Sequence, residues 1–238
     1  MQKKILYWSP HLTNIGTINS VVNSVKSLEK FSPNKFKINI LNLFGEWSVN
    51  EEFKKNYDSY LTNIFNPNIF RFIPKNSFLK SRFSYTIFFI LSFFKLKNIL
   101  KDNEGAILII HLLTSLPLIV VTVFNIDIDI ILRISGRVKY NSFRKFIWKK
   151  CKHKIKFVTC PSNATKAEII KLNLFKKDII VTLYDPIIET KKILELKREK
   201  IKEKKILNKK YFLGIGRLTR QKNFIQLIKA FGKINKFY

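Results

Sequence analysis

Arg217 and Lys222 stand five residues apart beside two glycines, in the stretch Tyr211-Phe-Leu-Gly-Ile-Gly216-Arg217-Leu-Thr-Arg-Gln-Lys222-Asn-Phe-Ile-Gln-Leu-Ile-Lys-Ala-Phe231. The pattern predicts a short buried strand over 211–215, a turn through the glycines, and an amphipathic helix carrying Phe224, Leu227, Ile228 and Phe231 on one face. A strand that runs through glycine into a helix presents free backbone N–H groups and the positive end of the helix dipole. That arrangement binds anions, above all phosphates. A lysine at a helix start opposes the dipole, so Lys222 reads as a group for a ligand rather than for helix stability. Gly216 lets the backbone approach that ligand closely.

Three further sets of residues fall where an α/β sheet presents ligand-contacting loops, at the carboxyl ends of parallel strands. The run 5–8 predicts a first strand, and the polar turn after it reaches Gly16 and Thr17 before a helical pattern through Ile18, Val21, Val22, Val25 and Leu28. The apolar run 106–110 predicts a central strand ending on His111, whose imidazole can hydrogen-bond a ligand hydroxyl or assist proton transfer. The run 128–134 predicts a strand that leads into Arg133, Ser135, Gly136 and Arg137, where the arginines can receive an anionic group. The pair Asp127 and Asp129 precedes that strand, at the opposite edge, so no metal site is expected there. His11, His111 and His153 lack metal-ligand spacing, and Cys151 and Cys160 form no Cys-x-x-Cys pair. No metal and no cofactor are expected.

The elements that must position these groups alternate strand and helix. Strands are predicted over 36–43, weakly over 69–73, over 155–160 and over 179–184. Helices are predicted over 78–100, from Pro117 to Phe124 with Thr114 or Ser115 as cap, over 143–150, and from the cap Ser162 to Leu172. That order argues a parallel α/β sheet with right-handed crossovers. Three domain segments are expected: 1–188 as a Rossmann-like amino-terminal domain, 189–210 as a basic solvated connector, and 211–238 as the first strand and helix of a second, Rossmann-like domain.

Net charge is +29, from 45 Lys and Arg against 16 Asp and Glu in 238 residues. The basic residues are spread along the chain with no nucleic-acid-binding motif beside them, which favours compositional drift together with an anionic membrane surface over nucleic acid as a partner. The helix over 78–100 has an apolar centre of twelve residues flanked by Lys80, Arg82, Lys95 and Lys97. Twelve is too few to cross a bilayer, which needs about 20. The helix is read as packed in the core, with a membrane-lying face as the alternative. Two unpaired cysteines suit a reducing cytoplasm, and the first ten residues are too short in apolar content for a signal peptide.

The run Gly-Arg217-Leu-x-x-Gln-Lys222-Asn resembles the opening of the second domain in glycosyltransferases of the GT-B fold, family-4 type. Leu132-Arg-Ile-Ser-Gly136, Val158-Thr-Cys-Pro-Ser162 and Tyr184-Asp-Pro-Ile187 are similar to first-domain segments of bacterial members that build cell-surface polysaccharides. The resemblance runs with gaps from Ile5 to Phe231. It implies a GT-B-like fold and transfer of a hexose from a nucleotide-sugar donor to a lipid-linked or glycan acceptor, with retention and without a metal. It further implies that Arg217 and Lys222 grip the donor diphosphate and that His111 lies by the transferred sugar, with the loops at Gly16 and Gly136 in the cleft. The family's paired-glutamate motif does not occur, so the chain is expected to be an amino-terminal portion of a larger enzyme or a truncated reading frame, cytoplasmic or at the inner face of the cytoplasmic membrane, and activity is not expected of this portion by itself. Two other readings stay open. One is a non-catalytic basic module on a membrane surface. The other is an NAD(P)-dependent oxidoreductase, against which Thr219 stands where a third glycine is needed.

Overall fold

Strand β1 (Lys3–Trp8) alternates Ile5 and Tyr7 toward one face of a sheet with Leu6 and Trp8 toward the other, and all four side chains are buried. A strand buried on both faces belongs in the middle of a parallel sheet. In the computed structural model β1 pairs in parallel with β2 (Phe36–Asn42) on one side and with β4 (Ile107–Ile110) on the other. The structure describes residues 2–12, 16–49, 57–73, 78–135, 141–186, 189–199, 211–216, 218–220 and 222–234.

β3 (Leu61–Asn63), β5 (Asp129–Arg133), β6 (Ile155–Cys160) and β7 (Ile180–Thr182) complete the sheet, in the order β3-β2-β1-β4-β5-β6-β7. The chain winds outward from β1 to β3, then crosses back to β4 and winds outward the other way. With right-handed crossovers, this reversal puts the helices on opposite faces. Helix α1 (Gly16–Phe31) covers one face, packing Val21 and Val25 on Ile5, Tyr7, Ile38 and Ile40. Helices α2 (Phe78–Lys101), α3 (Ser115–Val123), α4 (Ser142–Cys151) and α5 (Asn163–Lys171) cover the other. There Phe88, Leu96, Leu118, Val121, Trp148 and Ile169 close over Leu6, Trp8, Leu108, Ile110, Leu132 and Val158.

Local sequence explains several boundaries. Ser162 accepts a hydrogen bond from the Thr165 N–H at 3.2 Å and caps α5, as its position before the helix predicts. Asn141 caps α4 in the same way, through the Arg144 N–H at 2.8 Å. Thr114 makes no such bond and is itself helical, so α3 starts without a side-chain cap. The expected strand over 69–73 is instead a 3-10 helix, Pro67–Phe72. Pro67 sets the first turn and Asn66 caps it from Asn68 N–H, so local capping wins over an apolar run of β-type residues. The edge strand β3 lies earlier, where the sequence pattern above predicts no strand. No described helix is long and apolar enough to cross a membrane.

The chain divides into two units, Met1–Ile188 and Glu189–Tyr238. In the second, a solvated basic helix α6 (Thr190–Arg198) and the amphipathic helix α7 (Phe224–Ile234) are described. The expected buried strand over 211–215 has no regular secondary structure and pairs with no described strand, and its side chains are exposed, Ile215 by 84 %. A strand gains its hydrogen bonds and its burial from neighbours, and none is described in this unit. What holds the segment is side-chain contact: Phe212 meets Phe231 edge-on at 5.6 Å, and Gly214 lies against the Phe224 ring.

The two faces of β5 and β6 differ in cover, which gives a stability test. Leu132 is fully buried under the helices, whereas Phe157 on the α1 side stays 47 % exposed. Leu132→Ala is expected to cost about 2–5 kcal/mol and Phe157→Ala about 1 kcal/mol in urea unfolding. Equal losses would contradict this layering.

Candidate functional site

Reversal of strand order between β1 and β4 opens a crevice at their carboxyl ends, the place where open α/β sheets bind ligands. Trp8, Ile110 and Leu132 are laterally aligned on β1, β4 and β5, so the residues that follow them, Ser9, His111 and Arg133, are aligned too. Arg133 in turn pairs with Thr159 on β6. The His111 N–H donates to the Trp8 carbonyl at 2.9 Å and so continues the ladder to the edge. Four polar side chains therefore form a row across four adjacent strands, on the face that carries Tyr7 and α1. Each belongs to the side that alternation assigns to odd-numbered residues here.

All four are buried, and each has a polar atom with no hydrogen-bond partner among the described residues: Ser9 Oγ, His111 Nδ1, Arg133 Nη1 and Thr159 Oγ1. A buried polar atom without a partner costs about 1–3 kcal/mol. Four of the ten such atoms among the described residues fall in this one row at the topological switch point, which makes it the candidate ligand surface. Arg133 is only 4 % exposed and its Nη2 pairs with Asp185 Oδ1 at 2.5 Å. The Tyr7 hydroxyl, beneath the row, shares a 2.7 Å hydrogen bond with Ser24 Oγ of α1, and burial pushes its pKa up to about 12. Its ring lies 6.1 Å from the His111 ring.

Burial first, and then the Arg133 guanidinium, lower the His111 pKa to about 3, although Asp185 acts in the opposite direction. The imidazole is therefore neutral at pH 7 and serves as a hydrogen-bonding group. As a proton acceptor it is weak in these surroundings, and an anion placed beside Arg133 would strengthen it.

The loop after β2 carries a further buried polar group that the sequence reading missed, Glu46. Glu46 Oε1 and Oε2 accept from the N–H groups of Leu43 and Phe44 at 3.0 and 2.9 Å. Burial nevertheless raises its pKa to about 7. Gly45 permits the fold-back: its φ is +106°, and a β-carbon there would collide with the Pro67 carbonyl. His11 Nδ1 lies 3.2 Å from the Ser9 carbonyl, and its ring stands edge-on to Trp47 at 4.9 Å. The clue in the sequence was a glycine followed by a carboxylate just past a strand. Asp185, the other missed partner, stands in the segment that follows β7.

The residues expected from sequence are thus distributed unevenly. His111 and Arg133 meet in the row. Ser135 is exposed two residues beyond β5, and Gly16 and Thr17 open α1, Gly16 exposed and Thr17 half-buried. Gly136, Arg137 and Arg217 lie outside the described residues. Lys222 and Gly216 belong to the second unit, where the Lys222 stem comes within 3.5 Å of the place a β-carbon on Gly216 would take. Lys222 precedes α7 by two residues and is exposed.

Asp129, at the amino edge, is engaged by Lys3 at 3.3 Å and Lys156 at 3.7 Å. Among the described residues no group of three or more His, Cys, Asp or Glu is placed to hold a metal ion. A cavity of ≈ 450 Å³ lined by Lys4, Lys37, Asp102 and Glu104 also lies at that edge, far from the row, with charges of both signs.

A depressed histidine pKa has a signed consequence. Between its folded value and 6.5 the unfolded chain binds the proton and the folded chain does not, so His111 costs stability as pH falls below 6.5. Glu46, shifted upward, acts with the opposite sign between 4.5 and about 7. Because the two groups oppose one another in this range, His111→Gln is expected to shift the stability difference between pH 7 and 5 by roughly 2 kcal/mol in favour of pH 5 relative to the parent, read from urea unfolding at both values. An unchanged difference between the two pH values would contradict a buried neutral imidazole.

No protein-family model matches the sequence, and no curated protein matches it. Among solved structures, a UDP-N-acetylglucosamine 2-epimerase from Rickettsia bellii superposes with a TM-score of 0.52 at 10 % identity, over 83 % of this chain and 48 % of that one. A UDP-GlcNAc 2-epimerase from Methanocaldococcus jannaschii gives 0.43 at 12 % identity, over 75 % of this chain and 44 % of that one. The chain spans about half the length of these structures. The likeness to the first extends through most of the chain described above, and the fold is a Rossmann-like, GT-B-like α/β fold.

Proposed function

We propose that the chain belongs to a nucleotide-sugar enzyme and transfers a hexose from the donor to a lipid-linked or glycan acceptor in surface-polysaccharide assembly. The observation that carries this reading is the buried row Ser9–His111–Arg133–Thr159 at the β1/β4 switch point, with its unpartnered donors and acceptors. Hydroxyls, a neutral imidazole and a guanidinium match the hydroxyls of a sugar and the charge of its phosphate.

In the transfer, the bond from the anomeric carbon to the diphosphate oxygen breaks and a bond to the acceptor oxygen forms. The acceptor proton passes to the departing diphosphate. Arg217, Lys222 and the N–H groups at the start of α7 take up the negative charge that develops there, where a metal would otherwise serve. His111 holds a sugar hydroxyl, with the loops that carry Gly16, Thr17 and Ser135 beside it. Exposed Phe83, Ile90 and Phe94 on α2 offer an apolar face for a membrane that presents a lipid-linked acceptor.

A second reading, favoured by the likeness to the Rickettsia bellii structure, is epimerisation of UDP-N-acetylglucosamine at C2. The two readings separate in one assay. The protein is incubated with UDP-glucose or UDP-N-acetylglucosamine and a lipid-linked acceptor, and both sugar and nucleotide are followed by NMR. Release of UDP with glycosylated acceptor supports transfer. Appearance of the C2 epimer with no dependence on acceptor supports the second reading, and neither product overturns both. Under the transfer reading, Lys222→Ala or Arg217→Ala is expected to lower the rate by about 10²–10³. An unchanged rate would remove the diphosphate role from these two residues.

A further inference from the structure

One member of the row is spoken for by a residue that no sequence motif places there. After β7, the Leu183 N–H bonds the Cys160 carbonyl at 2.8 Å, and the chain then turns across the carboxyl edge. Two contacts fasten this turn. Asp185 pairs with Arg133, and the Pro186 carbonyl accepts from Asn23 Nδ2 of α1 at 2.6 Å. Asp185 is 24 % exposed while the guanidinium it meets is almost wholly buried. A surface segment thus inserts one carboxylate into a buried polar row.

The fit is partial. The carboxylate takes Arg133 Nη2, while Arg133 Nη1, His111 Nδ1, Ser9 Oγ and Thr159 Oγ1 stay without partners among the described residues. A phosphate has more acceptor oxygens than a carboxylate and a larger charge, and a guanidinium binds it in two-pronged fashion. We propose that Asp185 holds the place of a ligand phosphate, so that a phosphate or diphosphate group entering the row displaces its carboxylate from Arg133 and releases the 183–186 turn. The proposal rests on the nucleotide-sugar reading for the source of the phosphate, whether a sugar phosphate or a diphosphate. Ligand capture and freeing of the segment that follows β7 are then a single event, because both use the same guanidinium.

Inorganic pyrophosphate is the probe, titrated by calorimetry into the full chain in 0.15 M NaCl, an ionic strength that weakens the many surface lysines as competitors. Asp185→Asn removes the competing charge and is expected to tighten pyrophosphate by about tenfold. Asn23→Ala leaves the row untouched, loosens the other fastening, and is expected to tighten it by about fivefold. In the parent protein, pyrophosphate is expected to shift the His111 ring nitrogen resonances, and added NaCl of equal ionic strength is not. Equal affinity in parent and both variants would place the anion outside the row, at the start of α7 or on surface lysines, and overturn the proposal. Weaker binding in Asp185→Asn would overturn it as well. If that variant does not fold, Asn23→Ala and the His111 resonances decide alone. Pyrophosphate has neither sugar nor nucleoside, so the outcomes separate: tighter binding without sugar transfer sinks only the transfer reading. Sugar transfer with unaltered pyrophosphate affinity sinks only the displacement.

Discussion

Parallel pairing of β1 on both sides is the constraint from which the rest follows. A strand flanked by β2 and β4 must be approached from one side and left toward the other, so the chain reverses its winding there. Right-handed crossovers then send α1 to one face and α2 through α5 to the opposite one. The reversal leaves loops diverging at the carboxyl edge of β1 and β4. Apolar side chains pay for the arrangement on both faces, and the divergence leaves a place where polar ones can collect.

What collects there runs against stability. Ser9, His111, Arg133 and Thr159 are buried in register, each with an unpartnered polar atom among the described residues. The Arg133–Asp185 pair relieves part of the cost, since a lone buried guanidinium is far more expensive than a paired one. Buried ion pairs do not stabilise folds as a rule, so Asp185 is better understood as completing Arg133 than as fastening the sheet. The neutral state of His111 has the same origin: burial and a neighbouring cation both penalise its charge. Position, polarity and protonation thus share one cause, the placement of these residues at the last turn of buried parallel strands.

Much of this layout was readable from residue order. The apolar runs 5–8, 106–110 and 128–134 announced strands, and His111 and Arg133 at their carboxyl ends announced the edge. Register was not readable. Nothing in the spacing of Ser9, His111, Arg133 and Thr159 shows that they share one row, because strand pairing joins residues far apart in sequence. Glu46 and Asp185 were missed for a related reason, since a loop carboxylate gains meaning only from the amides or guanidinium it meets. The strand expected over 211–215 shows the converse limit. Its apolar residues are strand-like, but pairing is a property of neighbours, and propensity alone did not supply them. The 3-10 helix at Pro67–Phe72 was decided by a proline and an asparagine cap that an apolar run concealed.

The central claim is that ligands enter at the carboxyl edge, over the polar row. Hydrogen–deuterium exchange of the full chain with and without UDP-N-acetylglucosamine tests it most directly. The account predicts slowed exchange at residues 9–12, 111–114, 133–135 and 159–162, with residues 102–106 at the opposite edge unchanged. Protection confined to the amino edge, or spread evenly over the basic surface, would contradict it.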